Sequence, residues 1–174
     1  MNPRLEKQVH QLYEQYHREI FGYIFFMVGE RQQALDLMQD TFVKAFLNFE
    51  NFRGDANPKT WLYKIARNVT IDYQRKKKTT SYVIDYFTPI TSDQPTPEEV
   101  AELGDNTESL YRALSRLKKA YRDVIVLRKI EEFSTKEAAA ILGWKESRIK
   151  TNLHRGLEAL RKEMLKEGYT SETV

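Results

Sequence analysis

Residues 144–162 read WKESRIKTNLHRGLEALRK, with the basic side chains gathered on one side. At about 100° per residue, Ile149, Leu153, Leu157, Leu160 and Met164 fall in one narrow sector, the signature of an amphipathic helix. Lys150, Thr151, His154 and Arg155 point the other way. A dry stripe opposite a basic, hydrogen-bonding face also describes many ordinary surface helices. A second arrangement with chemical possibilities is Asp36 and Asp40, one helical turn apart, as metal ligands or an acid/base pair. No third ligand stands at a recognisable spacing, and His10, His17 and His154 are scattered. The sequence has no nucleophile motif, phosphate-binding glycine loop or zinc signature. It therefore predicts no catalytic activity of its own, no cofactor and no metal site.

The element upstream of the basic helix supplies its context. In FSTKEAAAILGW (133–144), Ser134 and Glu137 have capping-box spacing before a short helix. Ala138 and Ala139 let a second helix approach closely, Gly143 ends the first, and the next begins within a few residues. This order predicts a helix-turn-helix, whose second helix can enter a major groove.

Those elements belong to a segregated chain. Residues 1–78 carry 13 Lys/Arg against 9 Asp/Glu, residues 79–108 carry none against 7, and residues 109–174 carry 15 against 9. Two basic blocks flank an acidic connector, a distribution suited to a polyanion partner. The connector, 79–106, holds three of the five prolines and reads as a flexible linker, with local apolar content at Tyr82, Val83, Ile84, Tyr86 and Phe87. Everything else reads as helix, at about 5–28, 31–49 and 58–76 in the first block and 107–117, 119–131, 135–142 and 146–166 in the second. Asn57 can cap the third helix and Pro58 suits its first position; Trp61, Leu62, Ile65, Val69 and Tyr73 then share a face. The fold class is all-α: two helical bundle domains, 1–78 and 107–174, on a tether. Absence of cysteine excludes disulfides and suits a reducing cytoplasm. The start, MNPRLEKQVHQ, is unlike a signal peptide, and the most apolar run, IFGYIFFMVG, is too short to span a bilayer, so no direct membrane insertion is expected.

Along the second helix, Ala34, Leu35, Met38, Phe42, Ala45, Phe46 and Phe49 form an apolar stripe. Asp36, Gln39, Asp40, Val43 and Leu47 lie opposite. Two aliphatics among carboxylates on an outward face suggest a contact surface.

The stretch 117–164, LKKAYRDVIVLRKIEEFSTKEAAAILGWKESRIKTNLHRGLEALRKEM, resembles the promoter −35-binding domain of extracytoplasmic-function sigma factors within the sigma-70 family. ALDLMQDTFVKAF (34–46) resembles that family's core-polymerase-binding helix, and NFRGDANPKTWLYKIARNVTIDYQRKK (51–77) its −10-recognition segment. Two departures stand out: Lys145 where a Ser-type cap is common, and Asn152 where Arg is common.

The resemblance implies a protein that binds core RNA polymerase and promoter DNA and is held inactive by an anti-sigma factor, usually membrane-bound. It would be cytoplasmic, or tethered to the inner membrane face through that partner. The resemblance puts the face of Asp36, Gln39, Asp40, Val43 and Leu47 on the clamp helices of the large polymerase subunit. It forms a pocket for a flipped −10 base from Lys44, Asn48, Phe52, Tyr63, Ile65 and Asn68. Single strands are held by stacking surfaces, base-edge contacts and a basic track. Lys64, Arg67 and Arg75 are placed to meet phosphates, while Trp61 and Tyr73 read as core. In the second block, Lys150, Thr151, His154 and Arg155 match positions that touch −35 bases or adjacent backbone. Arginine can bind guanine with two hydrogen bonds and threonine can offer a hydroxyl or a methyl. Arg148, Arg161 and Lys162 suit phosphate neutralisation, which positions the domain while reading little sequence. The rival is a stand-alone helix-turn-helix regulator, which would have little need of a core-binding face; a metal-dependent nuclease is more distant.

Overall fold

In the computed structural model, the described residues are 3–84, apart from 53 and 55, and 105–169. All regular structure among them is helical. The first block forms α1 (Pro3–Val28), α2 (Arg31–Asn48), a 3-10 turn at Phe49–Asn51, and α3 (Pro58–Ile84). The second forms α4 (Asp105–Ser115), α5 (Lys119–Ile125) with a π turn at Val126–Ile130, α6 (Thr135–Leu142) and α7 (Glu146–Lys166). The chain divides into two units, Met1–Gln94 and Pro95–Val174.

In the first unit α1 packs along α2, and both pack on α3. Gly29 makes the sharp turn between α1 and α2: its φ of 74° is a left-handed conformation that glycine adopts without a Cβ penalty. Ile20, Tyr23, Ile24 and Phe25 of α1 close on Leu37, Met38 and Phe42 of α2 and on Leu62, Tyr63, Ala66 and Val69 of α3, all buried. Each large aliphatic there contributes about 1.5–3 kcal/mol by leaving water. Thr41 and Thr70 are also buried because each hydroxyl donates to a carbonyl one turn back, Leu37 O at 2.7 Å and Ala66 O at 2.8 Å. Between helices, Gln74 Nε2 donates to the Met27 carbonyl at 2.9 Å, and Lys59 pairs with Glu19 at 2.9 Å.

The buried arcs differ from the apolar stripes read from sequence. On α2 the core takes Leu37 and Thr41, while Leu35, Phe46 and Phe49 are half-buried. On α3 the arc centres on Ala66 and includes Tyr63 and Thr70, leaving Trp61, Ile65 and Tyr73 half-buried. Small side chains permit the closest helix approach, so they mark the centre of a contact that a count of large apolar residues misplaces.

Pro58 opens α3, with Asn57 Oδ1 accepting from the Lys59 amide at 2.9 Å. The helix then continues through Ile84, past the expected end at 76 and six residues into the stretch expected to be a flexible linker. Residues 77–84 lack a glycine or proline stop, and extending an existing helix requires far less free energy than starting one. The rest of that stretch, 85–104, lies outside the described residues.

In the second unit α7 is the central element, packed by α4, α5 and α6. The π turn ending α5 is fixed by Glu131 N–H to Val126 O and Phe133 N–H to Leu127 O, each 2.9 Å. Glu132 adopts φ 59° there, and Phe133 is buried beyond it. Ser134 then starts α6 with both bonds of a capping box, Glu137 N–H to Ser134 Oγ at 3.1 Å and Ser134 N–H to Glu137 Oε2 at 2.8 Å. Gly143 ends α6 at φ 67°, and α7 starts three residues later. On α7, Ile149 and Met164 are buried as expected, but Leu157 is exposed. Gly156 takes the central contact instead, against Tyr121 and Ile125 of α5.

Candidate nucleic-acid interface

The helix-turn-helix geometry leaves α7 with one continuous outward face. Lys150, Thr151, His154, Arg155, Arg161 and Lys162 are all exposed, as is Arg148 near the helix start. Local bonds define what some of these groups offer. Thr151 Oγ1 donates to Ser147 O at 3.0 Å, so its proton is engaged and its outward chemistry is the methyl group and an acceptor oxygen. Asn152, where the resemblance leads one to expect Arg, is half-buried and donates through Nδ2 to Arg148 O at 2.8 Å. It is turned toward its own helix, not outward. Lys145 occupies the N-cap with extended backbone, and its side chain makes no cap hydrogen bond. His154 Nε2 lies 3.9 Å from Glu158 Oε1, one turn on, and both side chains are largely exposed.

The C-terminal half of α7 is tied to α4 by charge. Arg116 pairs with Glu167 at 2.6 Å and Glu163 at 3.7 Å, Arg112 lies 3.9 Å from Glu167 and also pairs with Glu108, and Lys166 donates to Glu163 at 2.8 Å. The hydrogen bond from Lys166 holds the Glu163 carboxyl below the usual glutamate range; desolvation opposes this, and the charges of Lys166 and Arg116 reinforce it. These pairs keep α4 on the opposite side of α7 from the basic face.

In the first unit the outward side of α2 presents Asp36, Gln39, Asp40, Val43 and Leu47, all exposed. Val43 is 57% and Leu47 69% exposed, which leaves two aliphatic side chains in water among carboxylates. Lys44 and Asn48 are exposed beside them, and Asn48 Nδ2 donates to Lys44 O at 2.8 Å.

Where α2 gives way to the loop before α3, three aromatic rings meet. Phe52 lies 4.8 Å from Trp61, Phe49 lies 5.8 Å from Trp61 and 5.9 Å from Phe52, and all three are half-buried. Trp61, read from sequence as core, therefore sits at a margin with part of its ring accessible. Lys64, Asn68 and Arg75 share the exposed side of α3 next to it. Arg67 is half-buried, with an Nε that has no hydrogen-bond partner among the described residues. Ile65 is half-buried at the edge of the core.

Tyr63 is a correction. Its ring is fully buried, 5.0 Å from that of Tyr23 in the α1–α3 contact, so it belongs to the helix packing and offers no exposed surface. Its burial was not legible because an aromatic residue has the same sequence signature whether it points outward or into the core. Conversely, neither Trp144, which lies beneath Arg148, nor Gly156, which lies against Tyr121, was singled out from sequence. Trp144's signal was its spacing, one helical turn before Arg148. Among the described residues no cluster of His, Cys, Asp and Glu could hold a metal ion, and no helix is long and apolar enough to cross a membrane.

Residues 12–80 match the family described as Sigma-70 region 2, and residues 107–160 the family described as Sigma-70, region 4. The ECF RNA polymerase sigma factor SigX of Bacillus subtilis (strain 168) is 36% identical over 177 residues, spanning 98% of this chain and 91% of that protein. RNA polymerase sigma factor YlaC of the same organism is 37% identical, spanning 91% of this chain and 92% of its own length. Among solved structures, the sigma factor RpoE of Bartonella quintana, in complex with the anti-sigma factor NepR, superposes with a TM-score of 0.79 at 28% identity, covering 92% of this chain and 98% of that one.

Proposed function

The chain belongs to the extracytoplasmic-function sigma factors of the sigma-70 family, and from that premise we propose how its residues divide the work. It binds core RNA polymerase and directs promoter recognition, DNA opening and transcription initiation. The observation that carries this function is the presence of both family regions, in order, in one chain that matches SigX over nearly its whole length. A stand-alone regulator is not favoured.

The outward face of α2 is the core-polymerase contact: Val43 and Leu47 supply apolar area that leaves water on docking, while Asp36 and Asp40 set partner and orientation by charge. The first unit also captures the opened −10 strand. Lys64, Arg67 and Arg75 follow the backbone; Lys44, Asn48 and Asn68 present polar groups to base edges. Phe52, held by Trp61 and Phe49, supplies the accessible aromatic surface, with Ile65 behind it. The second unit reads the −35 duplex through Lys150, Thr151, His154 and Arg155, positioned by phosphate contacts from Arg148, Arg161 and Lys162. In this division residues 1–78 carry polymerase binding and −10 recognition, 107–174 carry −35 recognition, and 79–106 connect them. RNA synthesis belongs to the polymerase, and no step requires a cofactor or metal from this chain.

An anti-sigma factor is the inhibitory partner, supported by RpoE having been solved in complex with one. If that partner is membrane-anchored, the chain is held at the cytoplasmic face of the membrane until released. Run-off transcription with core polymerase on a promoter library tests the whole reading. Specific transcripts that depend on both protein and core, clustered on one pair of −10 and −35 sequences, are expected; tight duplex binding with no core-dependent transcript would overturn it.

A further inference from the structure

Trp144 and Arg148 form a pairing that the fold alone does not require. The left-handed turn at Gly143 brings the Trp144 amide back to the Ala139 carbonyl at 3.1 Å, fixing Trp144 at the threshold of α7. One turn later, the Arg148 guanidinium carbon stands 3.8 Å from the centre of the Trp144 ring. That distance places the guanidinium over the face of the indole. By comparison, Arg31 lies 5.6 Å from the Phe21 ring. Arg148 is exposed, Trp144 is half-buried, and no carboxylate among the described residues pairs with Arg148. Behind it, Asn152 bonds the Arg148 carbonyl at 2.8 Å and steadies the backbone that carries the arginine.

A guanidinium stacked on a ring uses its face and keeps its in-plane N–H groups available along its edges, where a phosphate oxygen can accept them. A free arginine loses much of its rotamer entropy when it grips a phosphate, whereas a stacked one has already lost part of it. Another large hydrophobic residue at position 144 could be half-buried in the same way; only a flat ring also orders Arg148.

We propose that Trp144 is a positioning residue for promoter binding: it holds Arg148 flat and edge-outward, so that Arg148 grips a backbone phosphate beside the −35 element at a reduced ordering cost. This rests on the reading of Arg148 as a phosphate contact.

The test is a double-mutant cycle measured as promoter affinity of the full chain assembled on core polymerase, using Trp144→Leu, Arg148→Ala and the pair, with helicity and thermal unfolding followed in parallel. Arg148→Ala is expected to weaken binding and shallow its salt dependence. Trp144→Leu is expected to weaken binding roughly threefold, Trp144→Phe to retain most of the affinity, and Trp144→Leu to add nothing once Arg148 is alanine. Equal losses from Trp144→Leu in both backgrounds would show a purely structural role and overturn the proposal, as would no loss from Trp144→Leu. An unchanged affinity for Arg148→Ala would instead remove the underlying phosphate reading, and the proposal with it. Should Trp144→Leu fail to fold, Arg148→Lys decides, since lysine keeps the charge without the flat stack: partial loss supports the proposal and wild-type affinity overturns it.

Discussion

Gly156 of α7 lies directly against Tyr121 of α5: a Cβ built on the glycine would come 3.1 Å from the Tyr121 Cβ and 3.1 Å from Ile125 Cδ1. The tyrosine Cβ is fixed to its backbone, whereas the isoleucine tip can rotate away. Gly156→Ala should therefore be nearly neutral, because a gain of up to about 1 kcal/mol in helix propensity offsets mild crowding. Gly156→Val should lose about 2 kcal/mol, because its branched methyls cannot all avoid Tyr121. Thermal unfolding of the two variants checks the contrast; equal stability would mean that α5 and α7 are not held at this spacing.

The exposed side of α2 should behave as a binding surface independent of the fold. Asp40→Lys with Leu47→Glu is expected to weaken association with core polymerase at least tenfold, with helicity and unfolding temperature unchanged, since both side chains lie outside the buried arc. Competition against the unaltered chain for core polymerase measures this. Undiminished competition by the folded double mutant would remove the α2 assignment.

Asn68 is exposed on α3 beside the aromatic cluster, and the proposed strand capture gives its amide an unpaired base as partner. Asn68→Ala should impair opening of the −10 duplex more than formation of the closed complex. A promoter already melted by a mismatched bubble should recover much of the lost transcription. If the bubble gives no relief, Asn68 has no part in strand capture.

Two arginines on α7 should separate base reading from backbone contact. Arg155→Ala is expected to lose about 1–3 kcal/mol of discrimination and relax preference at one −35 position, whereas Arg161→Ala should weaken all promoters similarly and shallow the salt dependence. Binding across a randomised −35 library distinguishes them. Uniform loss for Arg155→Ala would move base reading to Lys150, Thr151 or His154.

The second unit should carry an acid-sensitive clamp at Glu163. Because its folded-state carboxyl is held below the ordinary glutamate value, the ionised form binds its partners better in the folded state, and the contribution is fully present above that ordinary value. It is lost as pH falls through the glutamate range toward the lower folded value. Glu163→Gln should thus be less stable than the unaltered chain at neutral pH, with the gap narrowing on acidification. Urea unfolding at several pH values follows this; a gap that stays constant would show that Glu163 ionisation does not support the contact of α7 with α4.

Much of this molecule was legible in local chemistry. Asn57 with Pro58, and Ser134 with Glu137 and Gly143, mark helix boundaries because caps and left-handed turns satisfy backbone groups within a few residues, and the helices among the described residues follow from them and from periodicity. The outward faces of α2 and α7 were legible for the same reason: exposed polar arcs are the complement of a helical repeat. What only the tertiary structure decided is how far each helix is rotated against its neighbours. Gly156 lies against α5 and Ala66 is fully buried within α3's packed arc, where small size matters more than hydrophobicity, while Leu157 is left in solvent and Tyr63 lies in the core. Trp61 is left at a margin beside Phe52, and Trp144 comes to lie beneath Arg148, because a ring's partner depends on the path of the turn that carries it. Residue type and spacing determined which groups each helix could offer; the packing of one helix on another selected which of them reach solvent.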